Sequence, residues 1–106
     1  LMGRAKSVII RGGVNIYPLE VERALEAHPQ VSEAAVFGIP DSEMGEQVCA
    51  AVVADGALGR AALEAHCRHW LAPYKLPRHL VFLDELPRNS AGKVLLDALR
   101  ERVAEG

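Results

Sequence analysis

The run Leu86-Pro87-Arg88-Asn89-Ser90-Ala91-Gly92-Lys93-Val94-Leu95 sets a lysine on a short polar loop between two apolar segments. Glycine before Lys93 frees the backbone to take positive φ or to approach a ligand closely. The Asn-Ser pair gives the loop little reason to pack inward. The chemistry open to such an ammonium is electrostatic: it neutralises a phosphate or carboxylate oxygen, and from an exposed loop it can be swung into the active site of another surface. Taken alone, the loop is equally what a solvated lysine near a helix start looks like.

Other candidates are weaker. Ser90 to Lys93 have the look of the end of a phosphate-binding P-loop, but that motif needs glycine at 87 and serine or threonine at 94, where Pro87 and Val94 stand. Gly12-Gly13 can cradle a phosphate or let a chain-like ligand run along the backbone, and can also be only a tight turn. His66, Cys67 and His69 invite a metal reading. At about 100° per helical residue, however, Cys67 points away from the side shared by the two histidines, so three ligands do not converge. No Ser/His/Asp set or catalytic carboxylate pair is suggested, so the chain carries no self-contained active site.

The elements that position these residues are readable from periodicity. Val8-Ile9-Ile10 and Val14-Asn15-Ile16, separated by Arg11-Gly12-Gly13, predict a small hairpin. Pro18 suits a first helical position, and Val21, Ala24, Leu25 and His28 form a stripe that Pro29 ends. Val31 to Ile39 and Gln47 to Ala54 read as strands joined by an exposed connection over 40–46. A helix from about Arg60 to Leu71 uses Leu63, Cys67, Trp70 and Leu71, with Pro73 stopping it. A strand follows at Leu80 to Leu83, then a helix from Val94 to about Val103 with Leu95, Leu99 and Val103 on one side. The expected class is α+β: a small, mainly antiparallel sheet with helices packed on it, preceded by a β-hairpin.

Composition bounds the function. With 106 residues the chain is expected to be one domain, 1–106; half of it is hydrophobic and only 5% aromatic, so the core should be aliphatic. A formal charge of −2 with both signs interspersed argues against a nucleic-acid partner. No run approaches the roughly 20 apolar residues of a membrane span, and the first residues lack a signal core, so a cytoplasmic protein is expected. Cys49 and Cys67 read as small buried hydrophobes.

Four ordered segments carry a resemblance. They are Gly3-Arg4-Ala5-Lys6-Ser7 with Gly12 through Glu22; Val36-Phe37-Gly38-Ile39-Pro40-Asp41 with Gly45-Glu46; Tyr74-Lys75-Leu76-Pro77-Arg78; and Leu86-Pro87-Arg88-Asn89 with Gly92-Lys93. Together they resemble the C-terminal domain of the adenylate-forming (AMP-binding) superfamily. Gly-Gly-x-Asn-Ile-Tyr-Pro is the most specific piece, and the tyrosine-lysine-x-proline segment leans toward acyl-CoA synthetases.

The resemblance implies the mobile C-terminal domain of an acid-CoA ligase that forms an acyl-adenylate from a carboxylic acid substrate and MgATP, then a CoA thioester. It implies that Lys93 is the catalytic lysine of the first step and Lys6 the hinge, within a hinge segment 1–7. Arg4 and Asn15 would face the adenylate. Gly12, Gly13, Met44, Tyr74 and Arg78 would face CoA after the domain rotates. Ser7 stands where many members have aspartate, and Leu96 and Asp97 replace basic residues common after the lysine. ATP, CoA and Mg²⁺ belong to the complete enzyme, most of whose ATP site, with the metal and the acyl pocket, lies on a large N-terminal adenylation domain. Alternative readings are the same domain from another adenylating enzyme, or a noncatalytic interaction module of this fold.

Overall fold

A computed structural model describes residues 8–105, with side chains through Val103. Five strands form one sheet: β1 (Ile9–Arg11), β2 (Val14–Ile16), β3 (Val31–Asp41), β4 (Gly45–Ala54) and β5 (His79–Phe82). Three helices, α1 (Pro18–Glu26), α2 (Arg60–Arg68) and α3 (Leu96–Glu105), pack on it, and a 3-10 turn spans Pro73–Lys75. The strand order is β2-β1-β4-β3, with β5 pairing in parallel to the β4 edge that also meets β1. All other pairs are antiparallel, as expected. The leading hairpin is also part of the sheet, because Arg11 of β1 pairs with Gly45 of β4.

β3 and β4 are apolar almost without interruption because both faces of the sheet are covered. Ala34, Val36, Val48, Ala50 and Val52 face one core, with Val21 and Leu25 of α1 and Leu63 and Cys67 of α2. The alternate residues Ala35, Phe37, Cys49 and Ala51 face a second core closed by Leu86 and Leu99. Strand alternation thus assigns α1 and α2 to one layer and α3 to the other.

β3 is an outer strand, and side chains seal its free edge. Val36 N donates to Glu22 Oε2 at 2.9 Å, Ala34 N to Glu26 Oε2 at 3.2 Å, and Arg100 Nε donates to Gly38 O at 3.0 Å. The carboxylates and the guanidinium thereby satisfy backbone groups that a neighbouring strand would otherwise seek. Glu22 is buried in this role.

Three expectations are corrected. The connection over 40–46 is shorter: Pro40 pairs with Glu46 and Asp41 with Gly45, leaving only Ser42, Glu43 and Met44 outside the ladder. Trp70 does not join the core and is 61% exposed. After Arg68 the chain tightens, with His69 N donating to His66 O and Trp70 N to Cys67 O, which turns the indole outward while Leu71 still buries. α3 starts at Leu96, not Val94, and Leu95 is 40% exposed. Val94 is held in an antiparallel bridge with Arg88, so the inner side of α3 is built from Leu96, Leu99 and Val103.

Candidate functional site

The lysine loop is a closed hairpin. Asn89 N donates to Lys93 O, Gly92 N to Asn89 O and Leu95 N to Pro87 O, all within 2.8–2.9 Å. Asn89 Oδ1 accepts from Ala91 N at 2.9 Å and Lys93 N at 3.0 Å, and Gly92 takes φ 85°, a conformation natural to glycine. Arg88 braces the outside, donating from Nη1 to Gly92 O at 2.8 Å and pairing through Nη2 with Glu33 of β3. The loop stays exposed, as its polar residues suggest, but it is ordered, with Asn89 as the organiser of the turn. The signal was present, since asparagine followed three residues later by glycine is a type I turn pattern. The Lys93 side chain is exposed, and among the described residues its ammonium has no hydrogen-bond or ion-pair partner.

The second group lies toward the other end of β3. Gly12 and Gly13 form the β1–β2 turn at φ 57° and 82°, the doubly positive pair that two-residue hairpins favour. Gly12 N donates to Met44 O at 2.7 Å, and a side chain on Gly12 would meet Met44 Cε at 2.7 Å, so the methionine lies directly on the bare backbone. Beside Gly13 the space is open. Asp41 Oδ2 accepts from Met44 N at 2.7 Å and Glu43 N at 3.1 Å. Those backbone bonds, Met44's first, lower the Asp41 carboxyl below its ordinary value, helped by Gln47 and by the charge of Arg78. Gly12, Gly13, Met44 and Arg78 are therefore brought to one end of the sheet. Glu33 and Asp41 are separated by eight residues of β3, about 26 Å at strand rise, so the Lys93 hairpin is anchored far from this group.

Tyr74 sits on the 3-10 turn, 43% exposed, with the Lys75 ammonium 5.7 Å from its ring centroid. Lys75 Nζ donates to both Glu20 carboxylate oxygens at 3.0 and 2.9 Å, which ties the turn to the start of α1 and raises the lysine pKa. Among the described residues no hydrogen bond joins Tyr74 to the Gly12–Met44–Arg78 group. Asn15 lies exposed on the outer strand β2, opposite Ile10. Arg4 and Lys6 lie outside the described residues. Sequence reasoning missed Arg11 and Gln47, whose side chains meet at 3.1 Å across 36 residues.

The cysteines are structural. Burial pushes the Cys49 thiol up to about 12 and, with the nearby Glu64 charge, the Cys67 thiol up to about 11. Both stay protonated at neutral pH, and only the thiolate reacts. A disulfide reagent at pH 8 is expected to label neither in the native protein and both after unfolding; rapid labelling of native protein would contradict the burial. Among the described residues no group of three His, Cys, Asp or Glu side chains is placed to hold a metal ion, and no helix is long and apolar enough to cross a membrane.

Comparison with known proteins follows this geometry closely. Residues 20–93 match the family model of the AMP-binding enzyme C-terminal domain. The chain is 43% identical over 102 residues to the mitochondrial medium-chain acyl-CoA ligase ACSF2 of Danio rerio, covering 94% of this chain and 17% of that protein. It is 44% identical over 100 residues to the long-chain-fatty-acid–CoA ligase FadD13 of Mycobacterium tuberculosis, covering 93% and 20%. Among solved structures, apo MatB from Rhodopseudomonas palustris superposes with a TM-score of 0.86 at 42% identity, covering 93% of this chain and 20% of that one. The o-succinylbenzoate CoA synthetase MenE of Bacillus subtilis, in complex with its acyl-adenylate intermediate, superposes at 0.81 with 42% identity, covering 88% and 19%. The chain thus spans about a fifth of the length of these relatives.

Proposed function

The chain belongs to the AMP-binding enzyme C-terminal domain family, and on that premise we propose that it is the mobile C-terminal domain of an ATP-dependent acyl-CoA ligase, which supplies the adenylation lysine and then, after rotation, the CoA-facing surface. In the first step a substrate carboxylate oxygen attacks the α-phosphorus of ATP and pyrophosphate leaves. In the second the CoA thiol loses its proton and attacks the acyl carbon, and AMP leaves. Lys93 would hold the carboxylate and α-phosphate oxygens as charge develops between them. Arg4 and Asn15 would face the adenylate and Lys6 would be the hinge. Gly12 and Gly13 would leave room for the pantetheine arm, with Met44, Tyr74 and Arg78 near the CoA nucleotide.

The observation that carries this reading is the placement of the two hairpins. A lysine pinned near Glu33 and a bare glycine turn packed on Met44 are separated by most of the length of β3. One rigid domain can present such groups to a single active site only in two alternative dockings. Magnesium would neutralise phosphate charge, and in this reading the large domain holds it together with the acyl pocket. The chain would accordingly be inactive in isolation.

Mixing the chain with its matching large domain should restore both ATP/pyrophosphate exchange and CoA thioester formation. Docking without turnover would instead favour an interaction module of the same fold.

A further inference from the structure

Arg11 is the last residue of β1, immediately before the glycine turn, and pairs with Gly45 of β4. Its Nε donates to Gln47 Oε1 at 3.1 Å, and Gln47 is itself only 6% exposed. The partner is a neutral amide, so it orients the guanidinium without cancelling its charge. The nearby Asp41 carboxylate accepts from Met44 N and Glu43 N of its own turn, and its pKa is lowered by these bonds and in part by Gln47. Among the described residues this carboxylate makes no ion pair with Arg11. Arg78 stands within electrostatic reach of the same carboxylate, and its backbone N donates to Val48 O at 2.8 Å. Among the described residues neither arginine makes an ion pair. The other acids nearby are Glu46, whose Oε1 accepts from Ile10 N at 2.8 Å, and the exposed Glu43 on the turn. Arg11 thus stands without an ion-pair partner beside a glycine turn with open space at Gly13, and Arg78 acts electrostatically on the Asp41 that holds the neighbouring turn, a combination suited to a phosphorylated chain-like ligand.

We propose that Arg11, oriented by Gln47, binds a phosphate group of the CoA nucleotide alongside Arg78. This rests on the acyl-CoA ligase reading above and adds a binding residue to it. A planar fork with its Nε engaged by Gln47 still has both terminal nitrogens to offer a phosphate.

The test uses the complete parent ligase and compares CoA with pantetheine, which has the thiol and the arm but no nucleotide phosphates. Arg11→Gln should raise the KM for CoA about tenfold or more, as expected for losing a hydrogen bond to a charged group. It should leave the KM for pantetheine and the ATP/pyrophosphate exchange rate unmoved. Arg11→Lys, which keeps the charge without the fork, should fall between. Equal increases for CoA and pantetheine would mean that Arg11 only supports the hairpin, and would overturn the proposal, as would an unchanged KM for CoA. If the unsubstituted enzyme forms no CoA thioester, the functional reading itself fails, an outcome distinct from a failure of Arg11 alone.

Discussion

Lys93→Ala in the complete ligase is expected to slow acyl-adenylate formation by about 10²–10³, the usual cost of removing one preorganised donor from a developing anion. Thioester formation from supplied acyl-adenylate should be nearly unaffected. The asymmetry is the informative part. Lys93 is anchored at the Glu33 end of β3, away from the Gly12–Met44 end, so a domain docked for the second step would carry the lysine out of the site. The folded state should not change, because the hairpin is held by backbone bonds, by Asn89 and by Arg88, none of which uses the lysine side chain. Pyrophosphate exchange and single-turnover thioester formation measure the two halves separately. Equal loss in both would remove Lys93 from its assigned role and suggest a general defect in docking.

Phe37→Ala is expected to destabilise the domain by about 3–5 kcal/mol, the range for truncating a buried phenylalanine. Phe37 is 1% exposed and the largest side chain of the second core. Its cross-strand partner is Cys49, with Ala35 and Ala51 in the same cluster. These small neighbours have no spare atoms to move into the cavity, which favours the upper part of the range. Total stability of a small domain is roughly 5–15 kcal/mol, so little margin would remain. With a urea m-value of about 1–2 kcal/mol per molar, the unfolding midpoint should fall by roughly 1.5–5 M. An unchanged midpoint would show that α3 and Leu86 do not close the second core as described.

The sequence was most legible where one local rule decides the outcome. Pro18 opens α1, Gly12-Gly13 turns the first hairpin, and the apolar runs of β3 and β4 are strands. It was less legible where partners are distant or a rule changes within a few residues. Trp70 continues the helical spacing of Leu63 and Cys67, yet a single tightened turn after Arg68 puts it outside. Val94 and Leu95 look like helix start, but they close the hairpin begun at Pro87 and Arg88. For the candidate site, Lys93 and the glycine turn stand out in the residues themselves, while Met44 enters only through the resemblance. The partnership of Arg11 with Gln47 depends on the register of β1 against β4, which neither segment displays by itself. Asn89 reads as half of a polar pair, although its spacing from Gly92 describes a turn.

The sealed edge of β3 has a consequence for a domain that changes partners. In the proposed function such a domain would be briefly uncovered, between one docking and the next, on surfaces that are otherwise protected. A bare strand edge exposed at that moment could recruit the edge of another molecule and trap both in an extended aggregate. Glu22, Glu26 and Arg100 already occupy three of the backbone positions along which that recruitment would start. In the proposed function they act as built-in chaperones of the journey, keeping the sheet finite while the enzyme is between its two states.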